Sequence, residues 1–270
     1  MNYKPIKDYW NNRPCNINHS KKEPLTIEYF NEIEEKKYFV EPHIKDFACF
    51  NDWNGKKVLE LGCGIGTDSI NFARAGAILT VVDISEKSLE ICKKRFELFN
   101  LTARFINANI EEIDEILKDE KFDLIYSFGV IHHTIRPRKV IEAVFNLMTK
   151  DSYFKFMVYS RISYKLFWLM MENNIKDMKE GLEIVERQSE AQANCPMTYT
   201  YTMEEIRDEL LDDRFKIENI YKDHIFIYNI DKYKNNEYEK DEYWRNMDDI
   251  TIKKLEKELG WHTMVICKLN

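Results

Sequence analysis

Glycine is scarce in this chain, eight among 270 residues, so positions that demand left-handed backbone are few. Proline is as rare at six, and half of those (Pro5, Pro14 and Pro24) break up a polar N-terminal stretch that reads as a surface arm. The six cysteines (Cys15, Cys49, Cys63, Cys92, Cys195 and Cys267) are scattered with no C-x-x-C pair, which argues against a zinc ribbon or a disulfide framework and for reduced thiols. Basic charge is in deficit: 40 Lys and Arg against 47 Asp and Glu give a net −7. Such a chain has no bulk attraction for nucleic acid or anionic lipid, although a local basic groove stays open as an alternative. No apolar run reaches membrane length and the N-terminus lacks the apolar stretch of a signal peptide, so the expected location is the cytoplasm. There is no internal repeat and no low-complexity tract.

What is present is a core's worth of apolar residues, 44% of the chain, and a concentration of the rare glycines. Three of them fall in Val58-Leu-Glu60-Leu-Gly62-Cys-Gly64-Ile-Gly66-Thr67, a short apolar strand running into a glycine turn and then a helical pattern. Glycine there permits unusual backbone angles and lets a ligand approach without a Cβ in the way, and a helix start adds free N–H groups. The spacing is G-x-G-x-G, not the G-x-G-x-x-G of dinucleotide sites. Ile78-Leu-Thr-Val-Val-Asp83 is a second apolar strand ending in a carboxylate, placed to accept both hydroxyls of a ribose. Further strands are expected over Ala103–Asn107, Phe122–Ser127, Tyr153–Tyr159, Phe215–Tyr221 and Trp261–Leu269. Helices are expected from Thr26, from Pro42, from Ser85, near Pro137 and before Gly260, with a capping box at Thr202 and Glu205. Residues 231–250 resist assignment. Strands alternating with helices imply a parallel sheet whose ligand edge lies beyond the strands' carboxyl ends, so Gly62–Thr67, Asp83, Asn109 and Phe128–His133 should converge.

The set Glu60-Leu-Gly-Cys-Gly-Ile-Gly, Val82-Asp83-Ile84-Ser and Phe122-Asp-Leu-Ile-Tyr-Ser-Phe-Gly-Val-Ile-His-His resembles the class I S-adenosylmethionine (SAM)-dependent methyltransferases, in their small-molecule branch. The resemblance covers roughly residues 55–150 well. It implies an α/β, Rossmann-like doubly wound, mostly parallel seven-stranded sheet with an antiparallel last strand, an N-terminal helical cap and a helical insertion after the fifth strand. The corresponding divisions are an arm and cap over 1–50 and a SAM-binding domain over 51–270, with the insertion at about 160–198. It also implies SAM as cofactor and S-adenosylhomocysteine as product. Gly62, Gly64 and Gly66 would cradle the methionyl part, Glu60 would brace the loop or face the amino group, and Asp83 with Ile84 would hold the ribose. Asn109, standing where the family usually has an acid, would accept from the adenine amino group unless it caps the following turn, and Ile110 would add an N–H and an apolar contact. Phe128 would border the donor. Arg13 and Trp10 on the arm would fold over the cofactor, Arg13 pairing the methionine carboxylate.

Methyl transfer needs in-line alignment and a base where the acceptor carries a proton. His133, ahead of His132, is the candidate base, since histidine titrates near neutrality. Tyr9, Tyr159, Arg161, Tyr164, Tyr199, Tyr201 and His224 are candidates for the acceptor pocket. No metal is expected, because the paired histidines have no carboxylate set at a ligand spacing. The absence of an Asn/Asp-Pro-Pro-Tyr loop disfavours nucleobase amino methylation. The expected acceptor is an O, N or C atom of a small or medium-sized metabolite. An RNA methyltransferase, an NAD-dependent oxidoreductase and a non-catalytic SAM-binding protein stay open as rivals, as does the oligomeric state.

Overall fold

Between Lys57 and Leu269 the β-branched and aromatic runs become strands, and the 3.6-residue patterns between them become helices. The computed structural model describes residues 2–189 and 195–270; residues 190–194 of the expected insertion lie outside them. In chain order the elements are α1 (Lys4–Asn12), α2 (Ile27–Val40), α3 (His43–Ala48), β1 (Lys57–Leu61), α4 (Thr67–Arg74), β2 (Ile78–Asp83), α5 (Glu86–Leu98), β3 (Arg104–Asn107), α6 (Ile113–Ile116), β4 (Leu124–Phe128), α7 (Pro137–Leu147) and β5 (Tyr153–Tyr159). Then follow α8 (Tyr164–Glu172), α9 (Met178–Arg187), α10 (Met203–Glu205), β6 (Phe215–Asp223), α11 (Ile230–Lys234), α12 (Asp249–Leu259) and β7 (His262–Leu269).

The sheet runs β3-β2-β1-β4-β5-β7-β6. Strands β1 to β5 pair in parallel, and β7 inserts antiparallel between β5 and β6, as expected for the last strand. Successive residues of one strand point to opposite faces, so two cores form. Leu59, Val82, Ile125 and Phe156 pack with α7 on one face, whereas Val58, Val81, Tyr126 and Met157 pack with α3, α4, α5 and α8 on the other. The order of strands reverses between β1 and β4, which opens a crevice above their carboxyl ends.

The N-terminal stretch differs from expectation. Pro5 does not break it but sits in the first turn of α1, where the missing N–H is harmless. The caps fall where the polar residues predict: Thr26 on α2, Ser85 on α5, and a reciprocal Thr202–Glu205 box on α10. The unassigned 231–250 stretch holds most of α11 and the start of α12. Its aromatics pack tangentially, Tyr238 lying 4.6 Å from the Phe39 ring and Phe226 5.0 Å from Tyr233, a pattern with no helical or strand period. Leu166 and Leu169 of α8 are core residues, while Phe167 and Met171 point outward.

Candidate active site

At the sheet's carboxyl edge lies a cavity of about 280 Å³. Gly62, Gly64, Asp83, Ile84, Asn109, Ile110, Phe128 and His133 all contribute to its wall, together with Glu60, Trp10 and Tyr159. The four loops that follow β1 to β4 therefore do meet.

The three loop glycines have positive φ, at +81°, +51° and +78°, but their surroundings differ. A Cβ on Gly62 would stand 2.3 Å from Val130 Cγ2, and one on Gly66 2.5 Å from Cys92 Sγ. Both are therefore dictated by the protein's own packing. Gly64 is the one facing open space, its nearest neighbour being Cys15 Cβ at 3.8 Å. Gly62 and Gly64 both line the cavity, and of the three only Gly64 has space where a Cβ would stand.

Asp83 is buried and lies between backbone donors: Gly64 N–H gives to Oδ2 at 2.9 Å and Ser85 N–H to Oδ1 at 2.8 Å. The Ile84 N–H is a third backbone donor beside the carboxylate, which still lines the cavity. Burial pushes its carboxyl up to about 6, against the pull of those N–H bonds. Glu60 is raised further, to about 8, first by burial and then by the charge of Asp68, and its carboxylate takes the Ser69 hydroxyl. It thus braces α4. Asp68 in turn accepts from Lys37 Nζ at 2.8 Å and from the Tyr38 and Tyr126 hydroxyls at 3.0 Å each. Burial would lower Lys37, but Asp68 and Glu41 outweigh it and hold the ammonium charged on the cavity wall.

Of the two roles expected for Asn109, acceptor for a base edge or cap of the following turn, the structure shows the cap. Its Oδ1 takes the Glu111 N–H at 3.1 Å, which fixes the amide's orientation and leaves Nδ2 buried without a partner. The group it offers to a base edge is consequently a donor. Next to it, fully buried Glu111 gathers the Tyr3 hydroxyl (2.9 Å), Arg136 Nε (2.7 Å) and the N–H groups of Ile135 and Arg136. With Asn11 accepting from Ser85 Oγ at 2.9 Å, that network clamps α1 across the mouth. Trp10 thereby reaches to 5.3 Å from the His133 ring.

His133 and His132 part company. His133 lines the cavity, and its Nδ1 lies 2.8 Å from the Met197 carbonyl. A carbonyl only accepts, so Nδ1 carries the proton. His132 is fully buried against Tyr159 (3.9 Å between ring centres), neither ring nitrogen has a hydrogen-bond partner among the described residues, and burial lowers it well below the ordinary histidine range. It does not reach the cavity.

Of the other expected residues, Arg13 is exposed and off the wall, and Tyr9 is half-buried beside Trp10. Arg161 is tied to Glu205 and to the Thr200 carbonyl, and the Tyr164 hydroxyl accepts from Phe226 N–H at 2.9 Å. Tyr199 and Tyr201 join the chain to the His132 and Tyr159 carbonyls through their own N–H groups. None of these reaches the cavity, and neither does His224, which lies behind the wall against His262. Lys37, Glu41 and His262 were not singled out by the sequence; Lys37 and His262 pack on Phe128, and Glu41 joins them on the wall.

Three comparisons bear on this arrangement. A family described as a methyltransferase domain matches residues 52–243. Ubiquinone biosynthesis O-methyltransferases of Actinobacillus pleuropneumoniae serotype 5b (strain L20) and Coxiella burnetii (strain Dugway 5J108-111) are 30% and 36% identical over 138 and 89 residues. Those alignments take in 49% and 33% of this chain and 59% and 37% of the relatives' length, so the chain spans at most about three-fifths of them. Magnesium protoporphyrin IX methyltransferase of Synechocystis PCC 6803, solved with bound S-adenosylhomocysteine, superimposes with a TM-score of 0.62 over 100% of both chains at 14% identity, a likeness of fold.

Proposed function

Because this chain belongs to the class I SAM-dependent methyltransferases, we propose that it transfers a methyl group from SAM to an oxygen, nitrogen or carbon atom of a small molecule. The observation that carries the reading is Asp83, a buried carboxylate held by backbone N–H groups on the cavity wall beside Gly64, the loop glycine with open space at its Cβ position. That pairing suits a ribose diol beside an extended amino-acid tail. The names of the similar proteins, which act on quinone and porphyrin precursors, favour a small acceptor, and so does the chain's negative charge.

Each part of the wall then has a role. Ile84 and Ile110 give a flat base its apolar faces, and Asn109 Nδ2 donates to a ring nitrogen at its edge. Lys37 supplies the cation for the methionine carboxylate in place of Arg13. Glu60 keeps the loop in shape through Ser69. When bound, SAM supplies an electrophilic methyl carbon on a sulfonium. His133 Nε2 receives the proton that an acceptor hydroxyl or amine gives up. Helix α1 and Trp10 exclude water from the donor.

The deciding measurement is transfer of label from methyl-labelled SAM into a panel of small metabolites, alongside SAM titration by calorimetry. Binding with transfer to a small acceptor is expected. Absence of SAM binding would remove the reading, and transfer only to RNA would redirect it.

A further inference from the structure

Three segments remote in sequence, the α2–α3 junction, the end of β6 and the start of β7, bring imidazoles and carboxylates together on the Phe128 side of the cavity. Glu41 ends α2, His43 opens α3, His224 follows β6 and His262 begins β7. One ligand atom from each of Glu41, His224 and His262 lies within 4.8 Å of the other two, and both Glu41 and His262 line the cavity. Donors around a single zinc ion stand about 3.3–3.5 Å apart, given bonds of about 2.0–2.2 Å, so small side-chain rotations would close the set.

The hydrogen bonding is oriented for such an ion. His262 Nδ1 is 3.0 Å from His43 Nε2, while His262 Nε2 faces Glu41 Oε1 at 3.7 Å. A cation on Nε2 places the His262 proton on Nδ1, from which it is donated to His43 Nε2. His43 then carries its own proton on Nδ1, 3.8 Å from Asp223 Oδ1. Carboxylate to imidazole to ligating imidazole is the supporting chain that fixes tautomers around bound metals. The nearby Lys253 ammonium is held by Glu256 at 2.6 Å.

We propose that Glu41, His224 and His262 form a divalent transition-metal site of two imidazoles and one carboxylate, open toward the cavity, with His43 and Asp223 positioning His262. Three protein ligands with a vacant coordination position describe a catalytic rather than a structural ion. Resting on the methyltransferase reading, the vacant position takes an acceptor oxygen, lowers its proton affinity and aims it at the methyl donor. The acceptor class is then a hydroxyl- or carboxylate-bearing small molecule.

The test is titration of chelator-treated full-length protein with Zn²⁺ by calorimetry and with Co²⁺ by visible absorption. One ion per chain is expected, with Glu41→Gln and His224→Asn each weakening zinc at least tenfold and His43→Asn by a smaller factor. Far-UV circular dichroism and SAM affinity of His224→Asn, expected unchanged, exclude misfolding as the cause. Sub-stoichiometric zinc, or equal affinity in wild type and in both ligand variants, overturns the proposal. Zinc bound as expected by a protein that fails to bind SAM would leave the metal site standing and remove the methyltransferase reading instead.

Discussion

Asp83 is the residue whose charge state matters most, because only the ionised carboxylate offers both oxygens as acceptors. With its carboxyl raised to about 6 by burial, SAM affinity should fall as pH drops through that value and level off above it. Asp83→Ala should weaken SAM by about tenfold or more at pH 8, since hydrogen bonds to a charged group contribute about 1.5–3 kcal/mol. Calorimetry across pH 5–8 checks both, and a flat profile would take Asp83 out of the ribose contact. His133 calls for a different readout. His133→Gln should leave the SAM dissociation constant in place while lowering turnover about 10²–10⁴-fold, the usual scale of general-base loss. An equal fall for His132→Gln would contradict the burial of that ring.

Among the elements, the glycine loop and α1 are the informative ones. Gly62→Ala and Gly64→Ala share the left-handed strain of about 1–2 kcal/mol, but only the first also collides with Val130. Gly62→Ala should therefore depress the melting temperature more, and Gly64→Ala should mainly reduce SAM affinity; the reverse order would misplace the ligand. Helix α1 is held through Tyr3, whose hydroxyl gives to Glu111 and accepts from Arg136 at 2.8 Å. Removing it in Tyr3→Phe forfeits about 1 kcal/mol, or roughly fivefold more opening. Limited proteolysis should cut the N-terminal segment that much faster, with the remainder of the chain unaffected.

At the scale of the whole molecule, a ligand that binds only the folded state stabilises it by about 2.7 kcal/mol at a hundredfold excess over its dissociation constant. For a chain of this size that corresponds to a rise of about 5–10 °C in melting temperature. SAM should produce it and NAD should not, which separates the two sheet-based enzyme readings directly. The sheet was legible because each parallel strand is a short apolar run followed by a helical pattern, and local signals suffice for that. The loop glycines, Asp83 and His133 were legible for the same reason, each standing at a strand end. Lys37, Glu41, His43 and His262 were not, because each belongs to an ordinary helical or strand pattern and acquires significance only through neighbours some 30 to 220 positions away. Asn109 was legible as either an acceptor or a cap, and the N–H of Glu111 two residues later decided between them and set which end of the amide was left over. In the same way Pro5 looked like a breaker until the first turn of a helix formed around it.

Strand β7 runs against its neighbours, so it delivers its opening residue, not its final one, to the ligand edge. There His262 stacks on His224, while the next residue, Thr263, turns away to share a hydrogen bond with Ser160 at 2.6 Å. Removing one amino acid from the Gly260-Trp261 corner would draw the strand back by one position and turn its side chains to the opposite face, exchanging imidazole for hydroxyl at the wall.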